Sequence, residues 1–257
     1  MGSPDSDGAG DRPAHWFGFR PVEAEEKAPL VRGVFESVAS RYDLMNDLMS
    51  GGVHRLWKAT MVEWLMPRPD WRLVDVAGGT GDIAFRILDR LGGKGEVVVV
   101  DATPAMLERG RDRALDHGRL GRLLWVAGDA EVLPLEDASM DAYTIAFGLR
   151  NITAIETALA EARRVLRPGG RFLCLEFSRV VLPVLDRLYD LYSFAVLPAL
   201  GGLVAGDSAS YRYLAESIRR FPPQPELAAL MEKAGLERVT WRNLTGGIAA
   251  LHSGWRI

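Results

Sequence analysis

Apolar residues follow two rhythms along most of this chain. The stretch Trp71-Arg72-Leu73-Val74-Asp75-Val76 has the bulk and β-branching of a short buried strand, and Ile83, Ile87 and Leu91 then recur at helical spacing. The continuous apolar run "GEVVVVD" (95–101) predicts a second buried strand that ends in an acid. Thr103 as N-cap and Pro104 at the first helical position open a helix to about His117. "LLWVAGDA" (123–130) and "MDAYTIAFGL" (140–149) read as the third and fourth strands. "TAIETALAEARRVL" (153–166) is a patterned helix stopped by "RPGG", and "RFLCLEF" (171–177) is the fifth strand. Such alternation predicts a doubly wound, mostly parallel sheet. Right-handed crossovers would place helices on both of its faces.

The rhythm changes at both ends. Residues 1–15, "MGSPDSDGAGDRPAH", are polar and acidic, lack an apolar signal region, and read as a disordered tail ahead of one domain over 16–257. Residues 22–66 read as helices: Val34, Val38 and Arg41 continue one face, "SGG" (50–52) breaks the run, and His54 to Leu65 resumes it. From about 180 to 220 the pattern suggests an inserted group of helices. "PELAALMEKAGLE" restores a helix, and "RVTWRNLTGGIAALHSGWRI" reads as two strands joined at Thr245-Gly246-Gly247.

Composition narrows the function classes. With 257 residues and 48% hydrophobic content, the chain can bury a full α/β core. A net charge of −3 gives no argument for nucleic acid. The single cysteine, Cys174, excludes an intrachain disulfide and a multi-cysteine metal site; among Phe172, Leu173 and Leu175 it reads as a buried strand thiol. Four scattered histidines show no metal-ligand spacing. The most apolar segment, Leu191 to Gly206, is interrupted by Pro198 and is short for a bilayer crossing, which needs about 20 residues.

The chemistry concentrates in "DVAGGTGDIAFR" (75–86). Strand, glycine loop and helix start make a place where backbone N–H groups face a ligand. No lysine completes a phosphate-loop motif. Gly79-Thr80-Gly81-Asp82-Ile83-Ala84 fits the dinucleotide pattern G-x-G-x-x-G/A, and Asp101 follows about 20 residues on. A sharp turn that needs only glycine freedom would satisfy the same residues. A closing hairpin after the fifth strand distinguishes one doubly wound variant from the ordinary dinucleotide fold.

Four features together, the loop after Asp75, Asp101 ending the second strand, "GDAEVLPLEDASMD" after the third and "RVLRPGG" before the fifth, resemble the class I S-adenosylmethionine-dependent methyltransferases. "YDLMNDLMSGGVHRLW" (42–57) and "RVLRPGGRFLCLEFS" (164–178) resemble the two signatures of the ubiquinone/menaquinone biosynthesis C-methyltransferases, the UbiE family. "FGLRN" (147–151), "SYRYLAESI" (210–218) and "NLTGGIAALHSGW" (243–255) are similar to further segments of that family. The resemblance implies a seven-stranded sheet with an antiparallel hairpin, S-adenosylmethionine as cofactor, and methyl transfer to a ring carbon of a polyprenylated quinol. The acceptor would be 2-methoxy-6-polyprenyl-1,4-benzoquinol, demethylmenaquinol, or both. A dinucleotide-dependent oxidoreductase and a non-catalytic quinone-binding subunit are the competing readings.

The resemblance also assigns residues. Thr80 and the backbone of Gly78, Gly79 and Gly81 would line the amino-acid part of the cofactor. Asp75 would support that loop alone or hold the bound ammonium as well. Asp101 would accept from the ribose hydroxyls, or else cap the helix at Pro104. Asp129 and Ala130 would lie by the adenine. Ala146, where some members carry Ser, would offer only backbone. Arg150 would hold a quinol oxygen or a catalytic water, or form a surface salt bridge; Asn151 beside it belongs to the same acceptor site. Tyr42, Asp43, Asn46 and His54 would roof the site, with His54 either catalytic or a helix-packing residue. Glu176 would bind backbone N–H groups. Tyr189, Leu191, Tyr192, Phe194, Val196 and Leu197 would form a buried lid or a greasy entrance for a polyprenyl tail at the bilayer surface. The implied protein is cytoplasmic and peripheral at the inner face of the membrane, with no nucleic-acid partner; a homodimer or a quinone-biosynthesis complex remains open.

Overall fold

The computed structural model describes residues 15–38, 46–47, 50–92, 94–181, 192 and 208–257. It begins with a hairpin of β1 (His15–Phe17) and β2 (Arg20–Val22), turned at Gly18, followed by α1 (Ala24–Val38) and α2 (His54–Leu65). The hairpin falls at the junction of the expected tail and the expected helices. Its two strands of three residues are too short to show an alternation in the sequence.

The main sheet comprises β3 (Arg72–Val76), β4 (Glu96–Asp101), β5 (Leu123–Ala127), β6 (Met140–Ala146), β7 (Leu166–Phe177), β8 (Glu237–Leu244) and β9 (Ala249–Trp255), in the spatial order β5-β4-β3-β6-β7-β9-β8. The first five strands run parallel, with Leu73 opposite both Val97 and Ala142. β9 inserts antiparallel between β7 and β8. The crossovers are α3 (Asp82–Arg90), α4 (Pro104–Asp116) and α5 (Ile155–Val165); α6 (Ser208–Arg220) and α7 (Gln224–Lys233) precede the closing hairpin. The expected fold is therefore present. Of the expected insertion, α6 is described, whereas residues 182–191 and 193–207 lie outside the described residues.

Both faces of the sheet are covered, which explains why its strands are apolar without alternation. Leu73, Val97, Val99, Leu173 and Leu175 pack toward α2, α3 and α6. Val74, Val76, Val98, Val100, Phe172 and Cys174 face the other way, onto α5 and α7. Cys174 is a buried thiol, and burial pushes its pKa up. The order reversal lies at β3, with β4 on one side and β6 on the other, so a crevice opens at the carboxyl ends of these three strands.

Candidate active site

Asp75, on buried β3, starts the loop. Thr144 on β6 donates its hydroxyl to Asp75 Oδ1 at 2.8 Å, while the buried Oδ2 has no hydrogen-bond partner. Burial pushes this carboxyl up to about 7, against the pull of Thr144. The loop then turns through Ala77 (φ 50°), Gly79 (φ 55°) and Gly81 (φ 81°), all in the left-handed region. A side chain at Gly81 would also strike Trp125, because a Cβ there would lie 2.6 Å from the indole ring. A Cβ on Gly78 would lie 2.9 Å from the carbonyl oxygen of Asp75. Close backbone approach and backbone twist both require glycine here.

Asp101 ties the loop to the next strand. Its Oδ2 accepts the Gly79 N–H and its Oδ1 the Thr103 N–H, each at 2.8 Å. Burial raises its pKa against these backbone donors. The Thr103 side chain hydrogen-bonds the carboxylate as well, and the acceptor capacity that remains can take a further donor. The Thr103 bond closes a turn ahead of α4, whose N-terminus takes no side-chain cap bond, and it leaves acceptor capacity on the carboxylate.

The cleft encloses about 850 Å³, including its open mouth. Ala77, Gly79, Asp101, Met106, Asp129, Ala130, Phe147, Gly148 and Asn151 line it, and Ala28, Val31, Arg32 and Phe35 of α1 close one side. Asp129 and Ala130 therefore sit in the cleft wall, where Asp129 Oδ1 also accepts the Glu131 N–H at 2.9 Å. Asp75, Gly78, Thr80, Gly81 and Ala146 stand behind that wall. Thr80 is buried, and its hydroxyl accepts from Arg113 at 2.7 Å. The next residues after Ala146, Phe147 (φ 57°) and Gly148, reach the cleft instead.

Arg150 corrects one expectation. It is not a surface salt bridge: its side chain is 2% exposed and pairs at 2.6 Å with Glu176, which is 1% exposed. The guanidinium also donates to the Phe147 carbonyl, and Nε has no partner. Glu176 accepts the backbone N–H of Phe177 at 3.0 Å and of Arg150 at 3.3 Å, as expected of it, but the guanidinium is its main partner. Burial raises the Glu176 carboxyl, and Arg150 opposes the rise. Asn151 is buried at the cleft wall; its Oδ1 accepts the Tyr213 hydroxyl at 3.0 Å and its amide faces the Phe147 carbonyl.

His54 lies on the buried face of α2 and outside the cleft lining. Its Nε2 meets Asp47 at 2.9 Å. Burial lowers its pKa, and Lys58 adds to the effect against the pull of Asp47. That is the helix-packing alternative. Asn46 is buried, and Tyr42 and Asp43 lie outside the described residues.

Lys58 and the α1 wall belong to the site without standing among the residues the sequence points to. Lys58 is buried and pairs with Asp82, the first residue after the glycine loop, at 2.8 Å. Burial would raise Asp82, but Lys58, Arg86 and Arg113 bring it down to about 2. Lys58 follows "HRLW" directly, so the signature could have shown it. The α1 wall follows the apolar stripe of Val31, Val34 and Phe35, but nothing in that stripe says which cleft it covers.

A model of the ubiE/COQ5 methyltransferase family matches residues 22–256. The chain is 57% identical to the ubiquinone/menaquinone biosynthesis C-methyltransferase UbiE of Brucella abortus (strain S19), across all of this chain and 96% of that one. It is equally identical to the same-named protein of Brucella anthropi, covering 98% of it. Among solved structures, a SAM-dependent methyltransferase of Thermotoga maritima, described as a possible histamine N-methyltransferase, aligns with a TM-score of 0.60 at 23% identity, over 88% of this chain and all of that one. Phosphoethanolamine N-methyltransferase 2 of Haemonchus contortus, solved with S-adenosyl-L-methionine, aligns with a TM-score of 0.58 at 13% identity, over 78% and 52% of the two chains. These structural likenesses concern the fold alone. On the family match and the full-length relatives, the chain belongs to the ubiE/COQ5 methyltransferase family.

Proposed function

We infer that this protein is an S-adenosylmethionine-dependent C-methyltransferase of ubiquinone/menaquinone biosynthesis, acting on a polyprenylated quinol. Family membership at 57% identity over the whole chain carries this reading. The chemistry of the cleft fits the cofactor. Asp75 is the buried acid that opens the loop, and the positive charge of an ammonium group near the loop would bring its carboxyl down from about 7. Asp101 keeps acceptor capacity for a ribose hydroxyl, and glycines form the loop beside it. Asp129 and Ala130 supply the wall for the adenine. When bound, S-adenosylmethionine supplies an electrophilic methyl group on a sulfonium.

The chain's own residues have to orient the acceptor and stabilise charge. Removing a phenolic proton pushes electron density onto the ring carbon that is methylated, and that carbon then gives up its hydrogen as a proton. Arg150 is held by Glu176 and the Phe147 carbonyl, and a guanidinium has donors only and no acceptor. It therefore acts as fixed positive charge behind the acceptor segment and not as the base. Asn151 stands in the cleft wall, its amide held between the Phe147 carbonyl and the Tyr213 hydroxyl.

The quinol tail stays in lipid, so the enzyme meets its substrate at the membrane surface as a peripheral protein, on the cytoplasmic side. Among the described residues no helix is long and apolar enough to cross a membrane. Of the stretch expected to touch lipid, Tyr192 is described and packs half-buried against the core; Phe194 and Leu197 lie outside the described residues. The decisive test is a methyl-transfer assay with labelled S-adenosylmethionine and both reduced precursors. Label on a ring carbon of either quinol is expected; none on both would refute the reading.

A further inference from the structure

Three consecutive residues of the acceptor segment are each held by a different element. Arg150 is held by Glu176 of β7 and Asn151 by the Tyr213 hydroxyl of α6. The Ile152 carbonyl accepts from Lys27 of α1 at 2.7 Å. Asn151 and Ile152 both line the cleft, and of these Asn151 brings the polar side chain.

The bond to Tyr213 and the Phe147 carbonyl together hold that amide in one orientation. Tyr213 is buried, and burial raises its phenol far above the working range, so its hydroxyl is a donor. It donates to the amide oxygen, while the Phe147 carbonyl, which can only accept, faces Nδ2 at 3.4 Å. The opposite orientation would set two oxygens against each other at Phe147 and would require Tyr213 to accept where it now donates. Phe147 is itself part of the cleft wall. Tyr213 is in turn fixed by Phe17 of the N-terminal hairpin, whose ring stacks on it at a centroid distance of 4.2 Å and an interplanar angle of 16°. The hairpin is pinned to the same helix, since the Phe19 N–H donates to Glu216 at 3.0 Å.

We propose that Tyr213, backed by Phe17, is a positioning residue for methyl transfer: its hydroxyl fixes the Asn151 amide in the orientation that faces the methyl acceptor. The N-terminal hairpin thereby belongs to the acceptor side of the active site. The proposal rests on the methyltransferase reading and on Asn151 serving the acceptor.

Kinetics of Tyr213→Phe, Asn151→Ala and the double variant test it, with S-adenosylmethionine binding measured by calorimetry on each. Tyr213→Phe removes one oxygen and keeps the stacked ring. Its kcat with quinol should fall about fivefold to tenfold, the effect of one buried hydrogen bond, with cofactor affinity unchanged. Adding Tyr213→Phe to Asn151→Ala should cost nothing further, because the group it positions is gone. Phe17→Ala should lower kcat in the same way but less. Independent, multiplying losses in the double variant, or normal kcat for Tyr213→Phe while Asn151→Ala is impaired, would reduce Tyr213 to packing and overturn the proposal alone. Full turnover in Asn151→Ala would overturn the assignment of Asn151 together with it. No transfer to either quinol by the unaltered protein would instead refute the methyltransferase reading.

Discussion

Replacing Glu176 with Gln should destabilise the protein strongly, although the two side chains have nearly the same shape. Both oxygens of Glu176 act as acceptors: for the Arg150 guanidinium, the Arg150 N–H and the Phe177 N–H. Gln would turn an N–H₂ donor toward one of those donors and leave the guanidinium, 2% exposed, without its counter-charge. Breaking a buried ion pair from one side costs about 3–5 kcal/mol. At roughly 2–4 °C per kcal/mol for a chain of this size, the midpoint should drop by roughly 6–20 °C. The companion Arg150→Met strands the carboxylate instead, and its penalty depends on pH. Burial already holds the folded-state pKa of Glu176 above its ordinary value, and losing Arg150 removes the main opposing influence. A raised folded-state pKa means stability that is present below the unfolded value, about 4.3, and is lost as pH rises. The gap between Arg150→Met and the unaltered protein should therefore be small near pH 4 and widen toward pH 8. Combining both changes removes both charges and should recover more than half of either loss. Urea melts of the four proteins across pH are the assay. A loss under about 1 kcal/mol for Glu176→Gln, or a double variant no more stable than the singles, would refute the buried-pair argument.

Three further outcomes are expected. Asp101→Ala should weaken S-adenosylmethionine binding by about 1–3 kcal/mol in calorimetry, the range for charge-assisted hydrogen bonds; unchanged affinity would remove the ribose assignment. Asp75, at about 7 in the cofactor-free protein, should release a proton when a cationic ammonium binds beside it. Affinity should rise with pH up to about 7, and calorimetric heats should vary with buffer ionisation enthalpy; Asp75→Asn should abolish both dependences. Its own linkage runs the opposite way for folding, since a raised pKa lowers the stability of the cofactor-free protein as pH climbs from about 4 to 7. Gly81→Ala should lower both thermal stability and cofactor binding, because a Cβ would meet Trp125 at 2.6 Å at a φ of 81°; a melt within 1 °C of the parent, as a rough bound on no effect, would contradict the packing of that loop.

The sequence by itself determined the sheet, the crossovers and the place of the glycine loop. Each of these is encoded locally: in runs such as "EVVVVD" buried on both faces, in helical spacing between them, and in glycines where φ is positive. Asp101 was legible because an acid at a strand end, about 20 residues past a glycine loop, is a one-dimensional pattern. Arg150 was legible as a residue of the acceptor segment but not as half of a buried pair. Its partner is 26 positions away on β7, and only the parallel pairing of β6 with β7 sets them side by side. The same holds for Lys58 against Asp82 and for Tyr213 against Asn151, 24 and 62 positions apart. Burial and charge pairing depend on which elements meet across the crevice. Local periodicity says that a residue faces inward, and tertiary packing alone says what it faces.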